Sequence, residues 1–447
     1  MRGREAETRG RRGTAPARPG RRRPLAAVVG MLLVAAGSGC AASPGATAVT
    51  SHPATASPAP AGTPAVGFTA TPTAAVSPTP APTAWSLVSS PNPPGDARQA
   101  ALQGVSCLSA TDCWAVGWWS GDPLSGSSEP LIAHESGGGW TLVTSPSPNH
   151  GSALNGVACT SDSACWAVGG STGGDGWGGF IEQYAGGEWT IISSPAFADS
   201  FLSGVTCVSA TDCWAVGSVM ESSGPLIEQY TGNGWSVVPS PTPAGSTGAS
   251  LRALTCVSAD GCWAVGNYTD GAGDNGLGLE EPLVEQYQGG GWAPVTVPSP
   301  SGGAAGFGSE LDAVTCVSAG DCWAVGQGAG EGLIEHYSPD GWAIALDSDR
   351  VLNLDAVACT AGDACAAAGF ADAGPNSLEP ELASVEDYQD GTWSFAYPPF
   401  PSGSTTSELD GMTCVSATDC LAVGGMPLPG GSAVSGPLLI EQYQPPA

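Results

Sequence analysis

The sequence predicts an all-β repeat protein, a propeller or another array of repeated sheets, and three observations carry that prediction. Fourteen of the fifteen cysteines form seven C-x5-C pairs, beginning at Cys107, Cys159, Cys207, Cys256, Cys316, Cys359 and Cys414. Each pair lies in a segment that reads roughly L-x-G-V-x-C-x-S-A-x-D-C-W-A-V-G, and the copies recur at steps of 43 to 60 residues, the spacing of propeller blades and related modules. Within the repeats the apolar runs are four to six residues long and are bounded by Gly, Pro, Asn or Asp, which suits strands and is too short for helices.

The chain starts with a different kind of segment. Residues 1–24 carry nine of the twelve basic residues, all arginine, ahead of the stretch LAAVVGMLLVAAGSG, which ends just before Cys40. A positive segment followed by an apolar run too short to span a bilayer has the form of an export signal. Gly37, Ser38 and Gly39 before Cys40 resemble a bacterial lipobox, which implies cleavage after residue 39 and a lipid on Cys40. Gly37 stands where that motif usually has Leu, so an ordinary cleaved signal and an uncleaved anchor are the alternatives. Arg21, Arg22 and Arg23 are similar to a twin-arginine signal. The expected location is outside the cell, either lipid-anchored to the outer face of the membrane or secreted, with the membrane touched only through the N-terminal lipid.

Residues 40–84 read as a linker. Positions 41–84 hold no Asp, Glu, Lys or Arg and are dominated by Ala, Pro, Thr and Ser, so they cannot bury an apolar core. Their prolines favour an extended spacer with a reach on the order of 100 Å. Loss of residues 1–39 leaves Arg98, Arg252 and Arg350 as the only basic residues against 39 acidic ones. That balance excludes nucleic acid and anionic lipid as partners and favours cations.

Residues 85–447 are the folded domain, and each repeat reads as four short strands. In the third repeat these are Leu202–Cys207, Cys213–Gly217, Leu226–Tyr230 and Trp235–Val238. The domain opens on a lone fourth strand, Trp85-Ser86-Leu87-Val88, and ends on a third strand, Leu439–Tyr443, with no fourth strand after it. In a circular array the first strand completes the last sheet and removes an exposed edge.

A second strand ending in Gly, a third ending in Tyr and a fourth starting at Trp resemble Kelch-type repeats. W-A-V-G followed by a Gly-rich turn and Trp is similar to BNR-like repeats, and residues 85–447 as a whole resemble the C-W-A-V-G repeat lipoproteins of actinobacterial secretomes. The resemblance implies a seven-bladed β-propeller of four-stranded antiparallel blades, the N-terminal strand closing the last blade. Departures from the pattern are Ala366 and Leu421 in place of Trp in blades six and seven, and Ala133-His134-Glu135 in blade one where E-Q-Y is expected.

Each C-x5-C spans the turn between the first two strands of a blade. Cysteines facing each other across an antiparallel hairpin are within disulfide reach, and an exported chain meets an oxidising compartment. The pairs are therefore expected as disulfides: Cys107 with Cys113, Cys159 with Cys165, Cys207 with Cys213, Cys256 with Cys262, Cys316 with Cys322, Cys359 with Cys365 and Cys414 with Cys420. Zinc knuckles use closer cysteines and a second pair. The repeated tryptophans are expected to pack between blades, and the repeated Glu182, Glu228, Glu285, Glu335, Glu386 and Glu441 to accept structural hydrogen bonds.

Segments that vary between repeats, those joining strands two to three and four to one, emerge on one rim of a propeller, which makes that rim the candidate binding face. Trp118, Trp119 and Trp177 lie outside the repeat pattern and are placed on its loops, beside Asp122, Glu129 and Asp175, where exposed rings stack on sugars or anchor a protein. Asp270, Asp274 and Glu280, with Asn275 and Glu281, form an oxygen-rich calcium candidate without EF-hand spacing. The residue four before each first cysteine reads Gln103, Asn155, Ser203, Arg252, Asp312, Asp355 and Asp410, a polar set expected at the mouth of the central channel.

No catalytic residue is assigned. The domain cysteines are all paired, the histidines are too few for a copper oxidase, and no Ser-His-Asp order, HExxH or phosphate loop occurs. Arg98, Arg252 and Arg350 near one mouth are the sole trace of a sialidase-like site. The expected protein is a monomeric, cofactor-free binding or scaffolding module for a glycan or protein ligand. A secreted carbohydrate-active enzyme, a glycosidase, sialidase-like enzyme or lyase using channel-mouth residues, is the alternative.

Overall fold

The structure is a computed structural model. It describes residues 84–443 except 96, 123–126, 150, 174–175, 197, 221–222, 272–277, 301–307, 329–330, 348–351, 372–381, 390, 400–405 and 427–437. The predicted export signal, Cys40 and nearly all of the predicted linker lie outside the described residues, as do His150, Asp175, Asp274, Asn275 and Arg350.

Among the described residues there is no helix; the strands form five four-stranded antiparallel sheets and one eight-stranded sheet, in which two further four-stranded blades, the first and the last, are joined by the single pair Ala101 and Gly425. In blade three they are Ser200–Ser209, Asp212–Val219, Gly224–Tyr230 and Trp235–Val238, running from the inner to the outer edge. The first two outrun the apolar segments because Ser200, Ser209, Asp212 and Ser218 continue the ladder as polar residues, where hydrophobicity gives no signal. The inner strands abut in a cycle that includes the last, Glu408–Ser416, against the first, Gln99–Ser109. The array is thus a closed β-propeller. Trp85–Leu87 pairs antiparallel with Leu439–Tyr443, placing Trp85 opposite Tyr443 and Leu87 opposite Glu441, so the N-terminal strand completes blade seven as its sequence phase implies.

The repeat motif is the recipe for one bulged hairpin. Each inner strand slips register at the residue four before its first cysteine, between Leu202 and Gly204 in blade three and at the equivalent place in the other six. The Leu before the bulge is fully buried in every blade. The small residue after it meets the next inner strand: a Cβ at Gly204 would lie 3.1 Å from the Arg252 carbonyl oxygen, and one at Gly411 would lie 2.9 Å from that of Gln103. The Gly that ends C-W-A-V-G faces the bulge itself, and a Cβ at Gly217 would fall onto the carbonyl oxygen of Phe201. Gly217→Ala is therefore expected to lower stability by about 1–3 kcal/mol or more. Gly138→Ala, in an open turn with no atom within 4 Å, is the control and should leave the thermal midpoint unchanged.

All seven cysteine pairs are disulfides, each joining register partners with Cα atoms 4.0–4.1 Å apart. The blade interfaces are aromatic. Trp114 of blade one lies 4.6 Å from Tyr184 and 5.4 Å from Trp189 of blade two, the second contact edge-to-face. Trp166, Trp214, Trp263 and Trp323 repeat this arrangement on the blades that follow them. Each such pair adds about 0.5–1.5 kcal/mol beyond the area it buries.

The buried glutamates form a second link between blades. Ser145 Oγ donates to Glu182 at 3.0 Å, Ser194 Oγ to Glu228 at 2.7 Å and Ser240 Oγ to Glu285 at 2.8 Å. Each serine follows the fourth-strand Trp of the preceding blade by five residues. Val297 and Pro398 occupy that position ahead of Glu335 and Glu441, and neither of those carboxyls has a hydrogen-bond partner. The expected structural role thus holds for three of the glutamates, while two are buried without compensation.

Candidate functional site

The bulges decide what lines the channel. Because each inner strand carries one extra residue at the same height, Gln103, Asn155, Ser203, Arg252, Asp312, Asp355 and Asp410 all fall at the bulge. Two of these side chains, Asn155 and Arg252, reach the next blade. Asn155 Nδ2 donates to the Leu202 carbonyl at 2.7 Å. Arg252 Nη2 donates to Glu310 Oε2 at 2.6 Å, and Arg252 Nε lies 3.4 Å from Asp312 Oδ1.

Charge is distributed unevenly around this ring. Blades one to three contribute the neutral Gln103, Asn155 and Ser203, whereas blades five to seven contribute Asp312, Asp355 and Asp410. Glu310 and Glu408, two residues before the bulge on the inner strands of blades five and seven, add two more carboxylates. Arg252 is the cation set against this arc.

The crowding changes the acids. Burial, and then the neighbouring Glu310, hold the Asp312 carboxyl well above the usual range, although Arg252 pulls it back. Burial and Glu408 push Asp355 up to about 7. Burial, Glu408 and Asp355 raise Asp410. Solvent still reaches the arc, since the Asp312 side chain is 17% exposed. Asp355 Oδ2 and Asp410 Oδ2 are nevertheless buried without a hydrogen-bond partner. An arc with surplus acceptors and few donors is complementary to a donor-rich cation.

The other predicted residues are placed differently. Trp118 and Trp119 belong to the second strand of blade one, Asp112–Asp122, not to a loop, and sit opposite Pro130 and Glu129. Both are half-buried, and Trp119 packs against the core between blades seven and one. Trp177 is likewise a strand residue, within Gly176–Ala185 and opposite Thr172; its side chain lies outside the described residues, as does that of Asp122. These strands continue past the conserved-length apolar run because backbone pairing carries on where the repeat signal ends.

Of the calcium candidates, Asp270 and Glu280 lie on neighbouring strands of one hairpin, and Asp274 is outside the described residues. Asp270 Oδ1 accepts from the Leu279 amide at 3.2 Å within its own hairpin. Glu280 instead lies near Arg252 and Glu310, where burial and then Glu310 raise its pKa. Among the described residues no three His, Cys, Asp or Glu side chains are arranged to hold a metal ion. Of the three arginines, Arg252 stands at the arc and is engaged by Glu310 and Asp312, while Arg98 lies just before the first strand of blade one.

No family model matches the chain, and no curated protein matches it. Solved structures do, and they are β-propellers. YCF48 from Cyanidioschyzon merolae is 12% identical with a TM-score of 0.51, the match covering 81% of this chain and 99% of that one. A structure of YCF48 bound to D1 peptide is 14% identical with a TM-score of 0.50, covering 81% and 98%. A streptogramin B lyase is 14% identical with a TM-score of 0.48, covering 80% and 96%. At such identities the likeness is one of fold alone.

Proposed function

We propose that this chain is an exported, non-catalytic binding module, held at the cell surface through Cys40, whose propeller takes basic side chains of a protein ligand on the acidic arc of its channel. The observation that carries this reading is the pair of buried, unpartnered oxygens, Asp355 Oδ2 and Asp410 Oδ2, within an arc of five carboxylates set against Arg252. Seven disulfides support export, because such bonds persist in oxidising compartments. The charge-free spacer of residues 41–84 then holds the domain clear of the membrane.

A carbohydrate-active enzyme is the second reading, favoured by perturbed carboxyls at one concave site. A glycosidase pair, however, divides its labour between an acid with a raised pKa and a base or nucleophile that stays ionised. Asp312, Asp355 and Asp410 all shift upward together, which suits a site awaiting a cation better than one poised for acid–base chemistry.

Titration calorimetry of the purified domain against basic peptides, neutral peptides and cell-wall polysaccharides tests this. Basic peptides are expected to bind with an affinity that falls as salt rises. The Asp355→Asn/Asp410→Asn variant should stay folded and bind them at least about tenfold more weakly, the loss of roughly 1.4 kcal/mol. Unchanged peptide affinity in that variant, or polysaccharide turnover abolished by Asp355→Asn, would sink the proposal.

A further inference from the structure

The interface between blades six and seven lacks its indole. At five interfaces a C-W-A-V-G tryptophan fills the slot between the Tyr and the Trp of the next blade, with ring centroids 4.6–4.8 Å from the Tyr. Blade seven keeps both partners, Tyr443 and Trp85, with centroids 5.5 Å apart. Blade six offers Ala366 in place of the tryptophan. What remains is a cleft lined by Ala366, Asp387, Tyr388, Gln389, Ala417 and Tyr443, opening beside the cysteine hairpins. Leu421 occupies the equivalent position at the next interface.

A second substitution gives the cleft a charge. In blades one, three, five and seven the residue before the third-strand Tyr, or before Glu135 in blade one, is tied to the Asp of D-C-W or D-C-L, whereas blades two and four have Ala164 and Gly261 in place of that Asp. His134 meets Asp112 at 3.0 Å, Gln229 meets Asp212 at 3.3 Å, His336 meets Asp321 at 2.8 Å and Gln442 meets Asp419 at 3.2 Å. Blade six reverses the chemistry, with Ala364 at the first position and Asp387 at the second. Asp387 therefore turns to the cleft, where Trp85 Nε1 donates to its Oδ1 at 3.4 Å. The slot is shaped for a flat ring, walled by tyrosines and edged by one half-buried carboxylate.

We propose that this cleft is a second binding site, distinct from the channel, that takes a guanidinium group, lying where the missing indole would lie, against the ring of Tyr443 and paired with Asp387. A guanidinium fits better than an ammonium because it is planar, stacks on aromatic faces and forks onto a carboxylate. The shared chemistry covers an arginine side chain of a partner protein and a free guanidino compound.

Titration calorimetry of the disulfide-intact domain with acetyl-arginine amide, methylguanidinium and acetyl-lysine amide tests the site, and a folded arginine-bearing peptide series against the free compound separates the two sources. Saturable binding of acetyl-arginine amide is expected, about tenfold tighter than that of the lysine analogue, a difference of about 1.4 kcal/mol. Ala366→Trp rebuilds the slot as in the other blades, so it should hold or raise the thermal midpoint while abolishing binding. Asp387→Asn should weaken binding at least about tenfold with the fold intact. Should Ala366→Trp fail to fold, Ala366→Leu replaces it. The channel variant Asp355→Asn/Asp410→Asn should leave this binding unchanged, which keeps the two sites separable. Absence of saturable binding, equal binding of the lysine analogue, or an affinity indifferent to Ala366→Trp and Asp387→Asn would overturn the assignment.

Discussion

Reducing the seven disulfides is expected to unfold the propeller near 37 °C, whereas the oxidised domain melts far above that temperature. Each bridge closes a seven-residue hairpin loop, for which the chain-entropy model gives about 2.4 kcal/mol. The seven lie in separate blades, so their contributions should add approximately. Together they rival the roughly 5–15 kcal/mol net stability of an ordinary domain. The remaining core is modest in kind: the second strand of blade three, for example, buries small side chains such as Ala215 and Val216 behind Trp214. Thermal melts followed by tryptophan fluorescence, with and without reductant, check the collective effect. Paired Cys207→Ala/Cys213→Ala substitution checks the unit, which should lose about 2 kcal/mol. Midpoints indifferent to reductant, or free thiols in protein purified without reductant, would contradict this account.

Much of this architecture was legible in the chain, for reasons that differ from element to element. The ring closure could be read because Trp85-Ser86-Leu87 and Leu439–Tyr443 are complementary halves of one repeat, and a cyclic array is the arrangement that joins them. Asp312, Asp355 and Asp410 could be found by counting back from the cysteines, since the bulge fixes one residue per blade at one height. Glu310 and Glu408 escaped that count because it samples a single position per repeat and ignores the residue two before it. Glu280 was read with Asp270 because the two share a loop, yet their hairpin sends Asp270 to its own backbone and Glu280 toward Arg252. The serine clasps had a signal, Ser five residues after the fourth-strand Trp, visible only once the glutamate it serves is known to be in the next blade. Ala366 was noted as a departure, but an absent side chain carries no mark of what occupies its place.

The second large effect concerns pH, and its sign is opposite to ordinary acid denaturation. Burial pushes Glu182, Glu335 and Glu441 up to about 8 and Glu285 up to about 7, and it raises Glu228 as well. In the unfolded chain these groups ionise near their ordinary value of 4.5. Between that value and about 8 the folded protein binds more protons than the unfolded one, so stability falls as pH rises. The contribution is fully present below about 4.5 and is lost as pH climbs through 7 to 8. Repulsion among the 39 acidic residues of positions 40–447, as the exposed ones ionise, works in the same direction. The thermal midpoint is therefore expected to be higher at pH 5 than at pH 8.5, by more than about 5 °C for a domain of this size. Glu335→Gln and Glu441→Gln remove the two carboxyls that no donor serves, so each should raise the midpoint at pH 8.5 and flatten the profile. Glu228→Gln should gain less, because Ser194 and the Ala196 amide already stabilise its carboxylate. A midpoint that is level from pH 5 to 8.5, or one that climbs, would mean that these carboxyls meet water or partners in solution and are not the dry, protonated links between blades described above.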